Sequence, residues 1–589
     1  MAALVGSLIF IAGSFYLQNF IPVPVAGGEY TEGLIGAPQY ANPLLSQTND
    51  VDSDLARLIF SGLVAYDKSL ELAPDLAERW EIDEAQTTYT FVLRENLRWH
   101  DGQPLTADDV VFTVKSIQDP DFKSPLLVSL RGVEVKKIDD RTVSFSLPEA
   151  YPDFLEVMTF GLLPEHIWGE IPPVNANLTE YNLRPIGAGP WQFKSLTKDR
   201  LGNIRSYTLV PNPYYYGSKP FLEKLTFKFY PDFQTGIQAL KNNSIEGLSF
   251  LPKDLKKDLA GLKNLNQYSL ALPQYTAVFF NQKENESLAT KDVRQALALA
   301  IDKPAILSQA LQLEGEIIDG PILPGSTDAG NNLPKIAYDP TQASALLDQA
   351  GWKQITPLEY ADWLARQTET ATTTEATTAS QATTTDTAKL VGDDQPASPA
   401  KRGEPTQAFY RQQGEKILTV KLTTVDQSEN VKAAELVSDF WRAVGVKVEL
   451  EIISGGRISR DVIKPRRYEA LLFGIIVGSN PDPFPFWHSS QVQDPGLNLA
   501  LYANRNVDKA LEDARKAADE AARQPLYRTF EETILADLPA IFLYNPTYTY
   551  VADQKIKGLD VHRIILPADR FNNIEDWYVN TKRKYHGNN

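Results

Sequence analysis

The residues able to do acid–base, nucleophilic or metal chemistry are few and scattered along this chain. No two of the five histidines (His100, His166, His488, His562 and His586) have the spacing that places metal ligands on one helix face. Cysteine is absent, which excludes a thiolate nucleophile, a disulfide and a cysteine metal site. The sequence also lacks a GxSxG elbow and a GxxxxGK[ST] phosphate loop. We therefore expect neither an enzyme nor a cofactor, while a carboxylate pair formed only by folding stays open.

One acidic triplet, Asp50, Asp52 and Asp54, imitates the start of a calcium-binding loop. Such a loop needs glycine at its sixth position and glutamate at its twelfth, where this chain has Leu55 and Ser61. The sequence therefore argues against a calcium site. It predicts instead that these carboxylates begin a helix, where they interact favourably with the helix dipole.

Residues 71–114 form the most informative block of the chain. Residues 89–94 alternate apolar and polar side chains, which predicts a strand with one buried face. The pair Asp101-Gly102 is typical of a tight turn. Thr106 precedes Asp109 by three residues and predicts a capping box at the start of a helix. The block therefore indicates a short helix, a strand, a turn and a capped helix, which are features of a fold and not of a reaction.

Two side chains between that strand and the turn carry possible functional interest. We interpret Trp99 as a packing anchor, because a large aromatic residue in such a block is usually core. We interpret His100 as a hydrogen-bonded residue of the surface or the turn and not as an acid or base.

Length and charge limit the class of protein. A chain of 589 residues is too long for one core, so two or three domains are expected. The 75 acidic residues exceed the 58 basic ones, giving a net charge of −17. This balance argues against a nucleic-acid partner, which would require a basic face.

The first residues are apolar from Ala2 to Leu17, and the first basic residue is Arg57. This run is long enough for the core of a signal peptide and barely long enough to span a bilayer. We predict that residues 1–28 are an export signal or membrane anchor with a linker. The alternative is a disordered apolar tail.

The second half of the chain predicts a βαβ unit. Residues 418–422 and 446–452 alternate as strands, and an apolar helical stripe runs from Val431 to Val444 between them. Such a connection implies parallel strands with a right-handed crossover. Residues 468–477 are almost entirely apolar, as in a central strand covered on both faces.

Residues 366–410 interrupt this pattern with a threonine-rich segment. Such a segment cannot bury enough apolar surface to offset its ordering entropy, which predicts a disordered insertion. A glycosylated or partner-binding loop is the alternative.

Several motifs resemble, in the same order, those of the peptide and nickel class (family 5) of extracytoplasmic solute-binding proteins that serve ABC importers. They are APDLA at 73–77, WHDG at 99–102, LTADDV at 105–110, GAGPWQF at 187–193, NPYYYGSKPFLEKLTF at 212–227, VRQALALAIDK at 293–303, DPTQASALLDQAGW at 339–352 and NPDPFPFW at 480–487. The resemblance extends over roughly residues 29–550, apart from the threonine-rich segment.

The resemblance implies an α/β fold of mixed α+β character, a periplasmic-binding-protein-like clamp of two lobes with an extra third domain and two hinge strands. The hinge strands are expected near residues 275–281 and 540–546. The domains it implies are lobe I at 29–59, 182–274 and 545–589, domain II at 60–181, and lobe II at 275–544.

The resemblance also implies that the protein encloses a peptide or related small polar ligand between the lobes. The loaded protein would deliver it to an ABC-transporter membrane permease on the extracytoplasmic side, acting as a monomer and performing no reaction. Two alternatives stay open. One is a binding-protein-like receptor or sensor for a non-peptide ligand, and the other is a secreted hydrolase.

The ligand-binding residues implied by the resemblance come from both sides of the cleft. They are Val477, Gly478, Ser479, Asn480 and Asp482 from the second lobe, with Tyr275, Pro38 and Tyr40 from the other side. For Tyr275 a plain core role stays open, and for Asp482 the role of a structural turn residue does.

One position departs from the family pattern. In members that bind peptides, an aspartate after the central strand of the second lobe often pairs with the ligand's amino group, and this position falls on Ser479. A neutral hydroxyl cannot supply the charge-assisted bond that a buried ammonium needs. Either Asp482 or another acid takes that role, or the ligand is not a peptide with a free amine.

Overall fold

The computed structural model describes residues 20–151, 154–324, 333–367, 407–478, 482–494, 496–517 and 519–585. Residues 1–19, which carry the predicted export segment, and residues 368–406 of the threonine-rich segment lie outside these ranges. Within the described ranges, no helix has both the length and the apolar character that a membrane span requires.

A twelve-stranded sheet runs through the whole molecule. Its first half contains, in spatial order, Lys447–Ile453, Thr419–Val425, Ala470–Ile476 and Gln274–Phe280. The long strand Ala540–Asp553 comes next and joins the halves. The second half continues with Gly247–Leu248, Glu29–Ile35, Lys224–Tyr230, Ile204–Pro211 and Trp191–Lys198. Two further strands, Leu265–Ala271 and Gly315–Ile317, pair with the long strand.

Two adjacent segments cross from one half of the sheet to the other. Ala540–Asp553 pairs with Gln274–Phe280 near its start and with Leu265–Ala271 near its end. The ladder matches Ala271 to Thr547 and resumes with Thr276 matched to Tyr544, so the four residues 272–275 oppose only residues 545 and 546. This hinge bulge, defined by residues 272–275, interrupts the backbone pairing between the two halves. It adjoins the hinge positions expected from the sequence.

The predicted βαβ unit is confirmed. Thr419–Val425 and Lys447–Ile453 pair in parallel, and the helix Ser428–Ala443 connects them. Trp441 on that helix is fully buried and donates its indole N–H to the Leu297 carbonyl at 3.0 Å. Ala470–Ile476 lies between two other strands, as its continuous apolar sequence predicts.

Both faces of this half of the sheet are covered by helices. Along Gln274–Phe280, Tyr275 and Phe279 enter one core and Val278 and Phe280 enter the other. The helices of this half are Glu286–Ala289, Lys291–Leu299, Lys303–Leu311, Pro340–Gln349, 357–367, Ser428–Ala443, Gly455–Ile458, Phe484–Trp487, Arg505–Lys516 and Glu520–Asp537. A small sheet of Lys353–Ile355, Tyr410–Gln413 and Lys416–Ile417 lies at its margin.

Residues 60–181 build a separate group of sheets. A four-stranded antiparallel sheet contains Ala77–Ile82, Thr88–Leu93, Thr142–Ser146 and Glu134–Lys137, and Val64–Tyr66 pairs with Leu72–Pro74. The helices among and around them are Asp50–Ile59, Ala107–Gln118, Phe154–Val157 and Glu165–Trp168, whereas Phe233–Lys241 packs on the strands Glu29–Ile35 and Gly247–Leu248 of the long sheet. One continuous apolar core joins residues 60–181 to the second half of the long sheet, so this region packs firmly on the first lobe. The domain boundaries themselves stay a prediction.

Short 3₁₀ helices, and one π-helical turn at Ser459–Ile463, complete the described secondary structure. The 3₁₀ helices are Ser46–Thr48, Pro120–Phe122, Pro125–Leu127, Pro173–Asn175, Glu180–Asn182, Lys253–Leu259, Ser489–Gln491, Pro567–Phe571 and Ile574–Asp576. Phe20–Pro24, which falls in the predicted export segment and linker, forms an antiparallel pair with Thr581–Tyr585.

The acidic triplet lies at the start of a helix, as the sequence predicts. Asp50 and Asp52 occupy the first turn of Asp50–Ile59. Asp54 is buried and, with Glu32, binds the guanidinium of Arg570, whose Nη2 lies 2.5 Å from Asp54 and 2.7 Å from Glu32. Burial raises the pKa of Asp54 to about 6, and Arg570 opposes that rise. This ion cluster ties the first strand, the first helix and the C-terminal region together.

The block around residues 89–118 also forms as predicted, but the short helix expected at the start of the block is wrong, because Leu72–Pro74 and Ala77–Ile82 are strands that pair with their neighbours. Thr106 and Asp109 make the reciprocal capping box, with the Thr106 N–H donating to Asp109 at 2.9 Å. Gly102 has a φ of +86°, a conformation that favours glycine at this turn. Trp99 is fully buried in the core.

His100 is hydrogen-bonded, as expected, and is also largely enclosed. The Gly187 N–H donates to Nδ1 at 3.1 Å, and Nε2 lies 3.2 Å from the Gly189 carbonyl. A neutral ring with its proton on Nε2 satisfies both contacts. Desolvation lowers the pKa of His100 to about 4. The imidazole therefore holds the loop at 187–189 against the block as a neutral group.

This lowered pKa makes stability depend on pH. The unfolded chain takes up a proton near pH 6.5 but the folded protein only near pH 4, so the contribution is complete above pH 6.5 and is lost as pH falls towards 4. In the wild type the unfolding free energy falls between pH 7 and pH 5. We expect His100→Gln to make this fall smaller by on the order of 2 kcal/mol, because glutamine takes up no proton. Denaturant titrations at both pH values measure it. The matched variant His562→Gln, at a side chain 87% exposed, should keep the wild-type pH dependence.

Candidate functional site

A cavity of about 520 Å³ lies beside the hinge bulge. Its size falls within the range of small-molecule sites. Segments from all parts of the molecule line it. Residues 271–275, 545–547 and 315–316 come from the crossing and its edge, and residues 321–324, 477–478 and 482–487 come from the second lobe. Residues 563–565 come from the first lobe, and residues 69–70 come from the region 60–181. A ligand here would contact both lobes at once.

Four of the predicted site residues, Tyr275, Val477, Gly478 and Asp482, line this cavity. Ser479 and Asn480 lie outside the described residues. Pro38 and Tyr40 are not among the lining residues of the cavity. The N–H of Gln39, between them, donates to Asp52 at 2.7 Å, which holds their loop against the start of a helix. The part of these residues in ligand binding stays a prediction.

Strand pairing brings the second-lobe loop to the cavity. Ile475 lies opposite Tyr275 in the antiparallel ladder, and the Val477 N–H donates to the Pro273 carbonyl at 2.8 Å. Gly478 has a φ of +83°, so the chain turns away from the sheet at a position that favours glycine. The end of the central strand and the hinge bulge are therefore fixed to each other.

Asp482 is committed to protein partners. Both Nε and Nη2 of Arg515 donate to its Oδ2, at 2.9 and 2.6 Å, and the Phe484 N–H donates to its Oδ1 at 3.1 Å. The guanidinium carbon of Arg515 lies 3.7 Å from the centre of the Phe484 ring and 5.5 Å from that of Tyr151. This arrangement favours the interpretation of Asp482 as a structural turn residue, because a ligand ammonium would have to compete with Arg515.

Tyr275 belongs to the core and to the cavity wall. Its ring centre lies 5.4 Å from that of Phe542, and the residue is fully buried. Among the described residues, its hydroxyl and the indole N–H of Trp487 each lack a geometrically complete hydrogen bond. Burial raises the pKa of Tyr275, and the nearby Trp487 offsets part of that rise. The Tyr275 hydroxyl and the Trp487 indole therefore lie close together at the cavity wall.

The charged lining of the described cavity consists of Glu316, Asp482 and Arg563. Since Arg515 neutralises Asp482, the other two are the charges available to a ligand. Sequence analysis missed both. Glu316 lies in the three-residue strand Gly315–Ile317, and Arg563 lies in an irregular segment, so neither belongs to a periodic pattern. No local signal in the sequence identifies them.

A buried acid lies behind the loop that forms one wall of the cavity. Glu531 on the helix Glu520–Asp537 is fully buried. Gly320, next to the lining residues 321–324, lies so close that a Cβ on it would come within 3.2 Å of Glu531 Oε1. Burial raises the pKa of Glu531 to about 8, and the Ile322 backbone N–H opposes this rise. Glu531 is therefore largely protonated at neutral pH.

In the portion of the chain that the structure covers, no three His, Asp or Glu side chains converge in a way that would hold a metal ion.

Residues 71–394 match the family described as bacterial extracellular solute-binding proteins, family 5, middle part. This match covers more than half of the chain. The chain therefore belongs to the family 5 bacterial extracellular solute-binding proteins, a family of two-lobe binding proteins.

Two curated relatives align with almost the whole length of this chain. The chain is 26% identical over 567 residues to the oligopeptide-binding protein AppA of Bacillus subtilis, covering 94% of this chain and 92% of that protein. It is 24% identical over 553 residues to the dipeptide-binding protein of Escherichia coli, covering 89% and 90%.

Solved structures share the fold. The structure of AppA from Bacillus subtilis in complex with a nonapeptide matches with a TM-score of 0.74 at 25% identity, covering 94% of this chain and 99% of that one. NikZ from Campylobacter jejuni, in complex with Ni(L-His), matches with a TM-score of 0.74 at 24% identity, covering 93% and 99%. The two-lobe fold expected from the sequence is confirmed.

The raised pKa of Glu531 predicts an opposite pH dependence from that of His100. The folded protein keeps a proton on this carboxyl up to about pH 8 and the unfolded chain only to about pH 4.5, so stability falls as pH rises between these values. We expect Glu531→Gln to raise the melting temperature at pH 8 by roughly 2 to 6 °C and to leave it nearly unchanged at pH 4.5. Calorimetry at both pH values tests this, with Glu532→Gln on the exposed side of the same helix as control. An equal shift at both pH values would contradict it.

Proposed function

We propose that the protein captures short peptides in the cavity beside the hinge bulge and delivers them to an ABC-transporter permease. The proposal rests on one observation: the first lobe, residues 60–181, the second lobe and both crossing segments all contribute walls to this cavity. A ligand in contact with both lobes binds the closed arrangement more tightly and shifts the population towards it. The oligopeptide and dipeptide relatives indicate the ligand class.

In this proposal the protein acts as a monomer on the extracytoplasmic side and releases the ligand unaltered. The lobes would separate at the permease, because the hinge bulge is where backbone pairing between them is interrupted. The apolar and aromatic lining around Tyr275, Phe486 and Trp487 suits peptide side chains, and its few polar groups suit the peptide backbone.

A non-peptide polar ligand is the second candidate, whether for import or for a receptor that signals to a membrane partner. The observation that favours it is the neutral Ser479 at the position where the family pattern places the amine-pairing aspartate. Native mass spectrometry of the protein purified from its own cells separates the two. A distribution of peptide masses supports peptide capture, and one recurring non-peptide mass supports the second candidate.

Peptide binding should stabilise the protein in a dose-dependent way. A peptide at 100 times its dissociation constant adds about 2.7 kcal/mol to the apparent unfolding free energy. We expect a library of short peptides to raise the melting temperature and to reduce the radius of gyration in solution scattering.

The loop after the central strand offers a variant for this experiment. Because the family resemblance implies that position 479 contacts the ligand, we expect Ser479→Trp to abolish the stabilisation by peptide and to preserve the ligand-free melting temperature. Ser218→Trp, at an exposed position outside the cavity, should respond to peptide like the wild type. If Ser479→Trp kept the full response, Ser479 would not belong to the binding site.

We further propose that residues 1–19 hold the protein at the outer face of the membrane. The apolar run from Ala2 to Leu17 supports this, since it leads directly into the strand Phe20–Pro24 of the folded body. After expression in a bacterium, the full chain should sediment with membranes and resist release by 1 M salt. A chain starting at residue 20 behind a cleavable signal peptide should be soluble. Recovery of the full chain in the soluble fraction would contradict the anchor.

A further inference from the structure

Two opposite charges remain free in the described lining of the cavity. Glu316 and Arg563 are both exposed there, and neither makes an ion pair with another described residue. Asp482 does not compete for a ligand cation, because Arg515 holds its carboxylate. The described lining of the cavity therefore has one available anion and one available cation.

Strand pairing fixes how far apart these charges are. Glu316 lies opposite Asn545, two residues before Thr547, which lies opposite Ala271. Ala271 lies in turn opposite Arg563 in an isolated parallel bridge. The path from Glu316 to Arg563 therefore crosses three neighbouring chain segments, each about 4.8 Å from the next, and shifts by two residues along the long strand. This places the two Cα atoms roughly 15 Å apart.

Each charge is attached to a different part of the clamp. Glu316 lies in the short strand Gly315–Ile317, which pairs with residues 544–546 of the long strand Ala540–Asp553. Arg563 comes after the long strand Ala540–Asp553 in the chain, in the first lobe. Its neighbours fix it to Ala271, because the Ala271 N–H donates to the His562 carbonyl and the Ile564 N–H donates to the Ala271 carbonyl, both at 2.9 Å. Backbone hydrogen bonds therefore set this separation at both ends.

We propose that Glu316 and Arg563 recognise the two ends of a short zwitterionic peptide, with the ammonium at Glu316 and the carboxylate at Arg563. The assignment rests on the peptide function proposed above and adds to it the ligand's charge state and length. A planar guanidinium binds a carboxylate through two parallel hydrogen bonds, and a carboxylate accepts charge-assisted bonds from an ammonium. Glu316 thereby supplies the charge that Ser479 lacks.

The separation also limits the length of the peptide. The glutamate side chain reaches about 4 Å and the arginine side chain about 6 Å from Cα, which leaves roughly 5 to 10 Å between the charged groups if both turn inward. An extended peptide adds about 3.3 to 3.6 Å per residue. A dipeptide, at about 7 Å, fits this span and a tripeptide, at about 10 Å, reaches its upper limit, whereas longer peptides would have to bend or leave one end unpaired.

Four chemical forms of one peptide library test the assignment. Equimolar libraries of dipeptides, tripeptides, tetrapeptides and hexapeptides are prepared with free ends, N-acetylated, C-amidated, and blocked at both ends. Native mass spectrometry ranks retention, and calorimetry gives the dissociation constant of the best-retained member in each form. For the wild type we expect dipeptides and tripeptides with free ends to be retained best. Acetylation or amidation should each weaken binding by about 10-fold to 100-fold.

The variants separate the two ends. Glu316→Gln should bind free and N-acetylated peptides equally while still rejecting C-amidated ones. Arg563→Gln should show the reverse preference. Glu84→Gln and Arg200→Gln make the same charge changes at exposed positions outside the cavity and should behave as the wild type. Because both tested side chains are exposed, the substitutions should leave the ligand-free melting temperature unchanged.

The outcomes distinguish this inference from the proposed function. If blocked and free peptides bind the wild type equally, peptide capture stands and recognition of the ends by Glu316 and Arg563 is wrong. The same holds if the wild type discriminates but Glu316→Gln and Arg563→Gln discriminate as well as it does. If the wild type retains no peptide in any form, the proposed peptide function fails, and the assignment fails with it.

Discussion

The architecture depends on one strand, Ala540–Asp553, that is hydrogen-bonded to both lobes. Its ladder with residues 265–280 is interrupted where residues 272–275 oppose residues 545 and 546, and a register shift follows between Thr276 and Ala277. Pro273 in that bulge has no N–H to donate. The Asn545 side chain compensates, because its Nδ2 donates to the Leu272 and Gln274 carbonyls at 2.9 and 2.5 Å. The bulge thus weakens the backbone ladder without leaving its carbonyls unpaired, and the cavity lies beside it.

Sequence periodicity was sufficient for the regular elements. The apolar alternation and the helical stripe between residues 418 and 452 specified a parallel βαβ unit, and Thr106 with Asp109 specified a capped helix, because each pattern lies within a few turns or strands of chain. Glu316 and Arg563 were invisible for the opposite reason. They meet the same cavity only through pairing of segments more than 200 residues apart, which no local pattern encodes.

Asp482 shows a related limit for the site itself. Its place between two prolines, after the central strand, made it a candidate partner for a ligand amine. What decides its role is Arg515, a residue 33 positions away on another helix, whose guanidinium binds the carboxylate and stacks on Phe484. A carboxylate that is already paired and partly buried gains little from a second cation. To bind a ligand ammonium it would have to break its pair with the arginine, which would then lose its partner. Residue type made Asp482 a candidate, whereas its ion pair with Arg515 determines that its carboxylate is not free.

The positions of the free charges bear on how such a clamp closes. A ligand shifts a conformational equilibrium only through contacts that differ between the two states. A ligand held by Arg563 alone would bind the open and closed forms about equally, since Arg563 moves with the first lobe. In the proposed clamp, contacts with the second-lobe segments near Val477 and Trp487, which line the same cavity, would form only when the lobes approach. In the proposed clamp, Arg563 on the first lobe and Glu316 beside the bulge would therefore set the register of the ligand, while the apolar second-lobe wall would supply the differential affinity that favours closure.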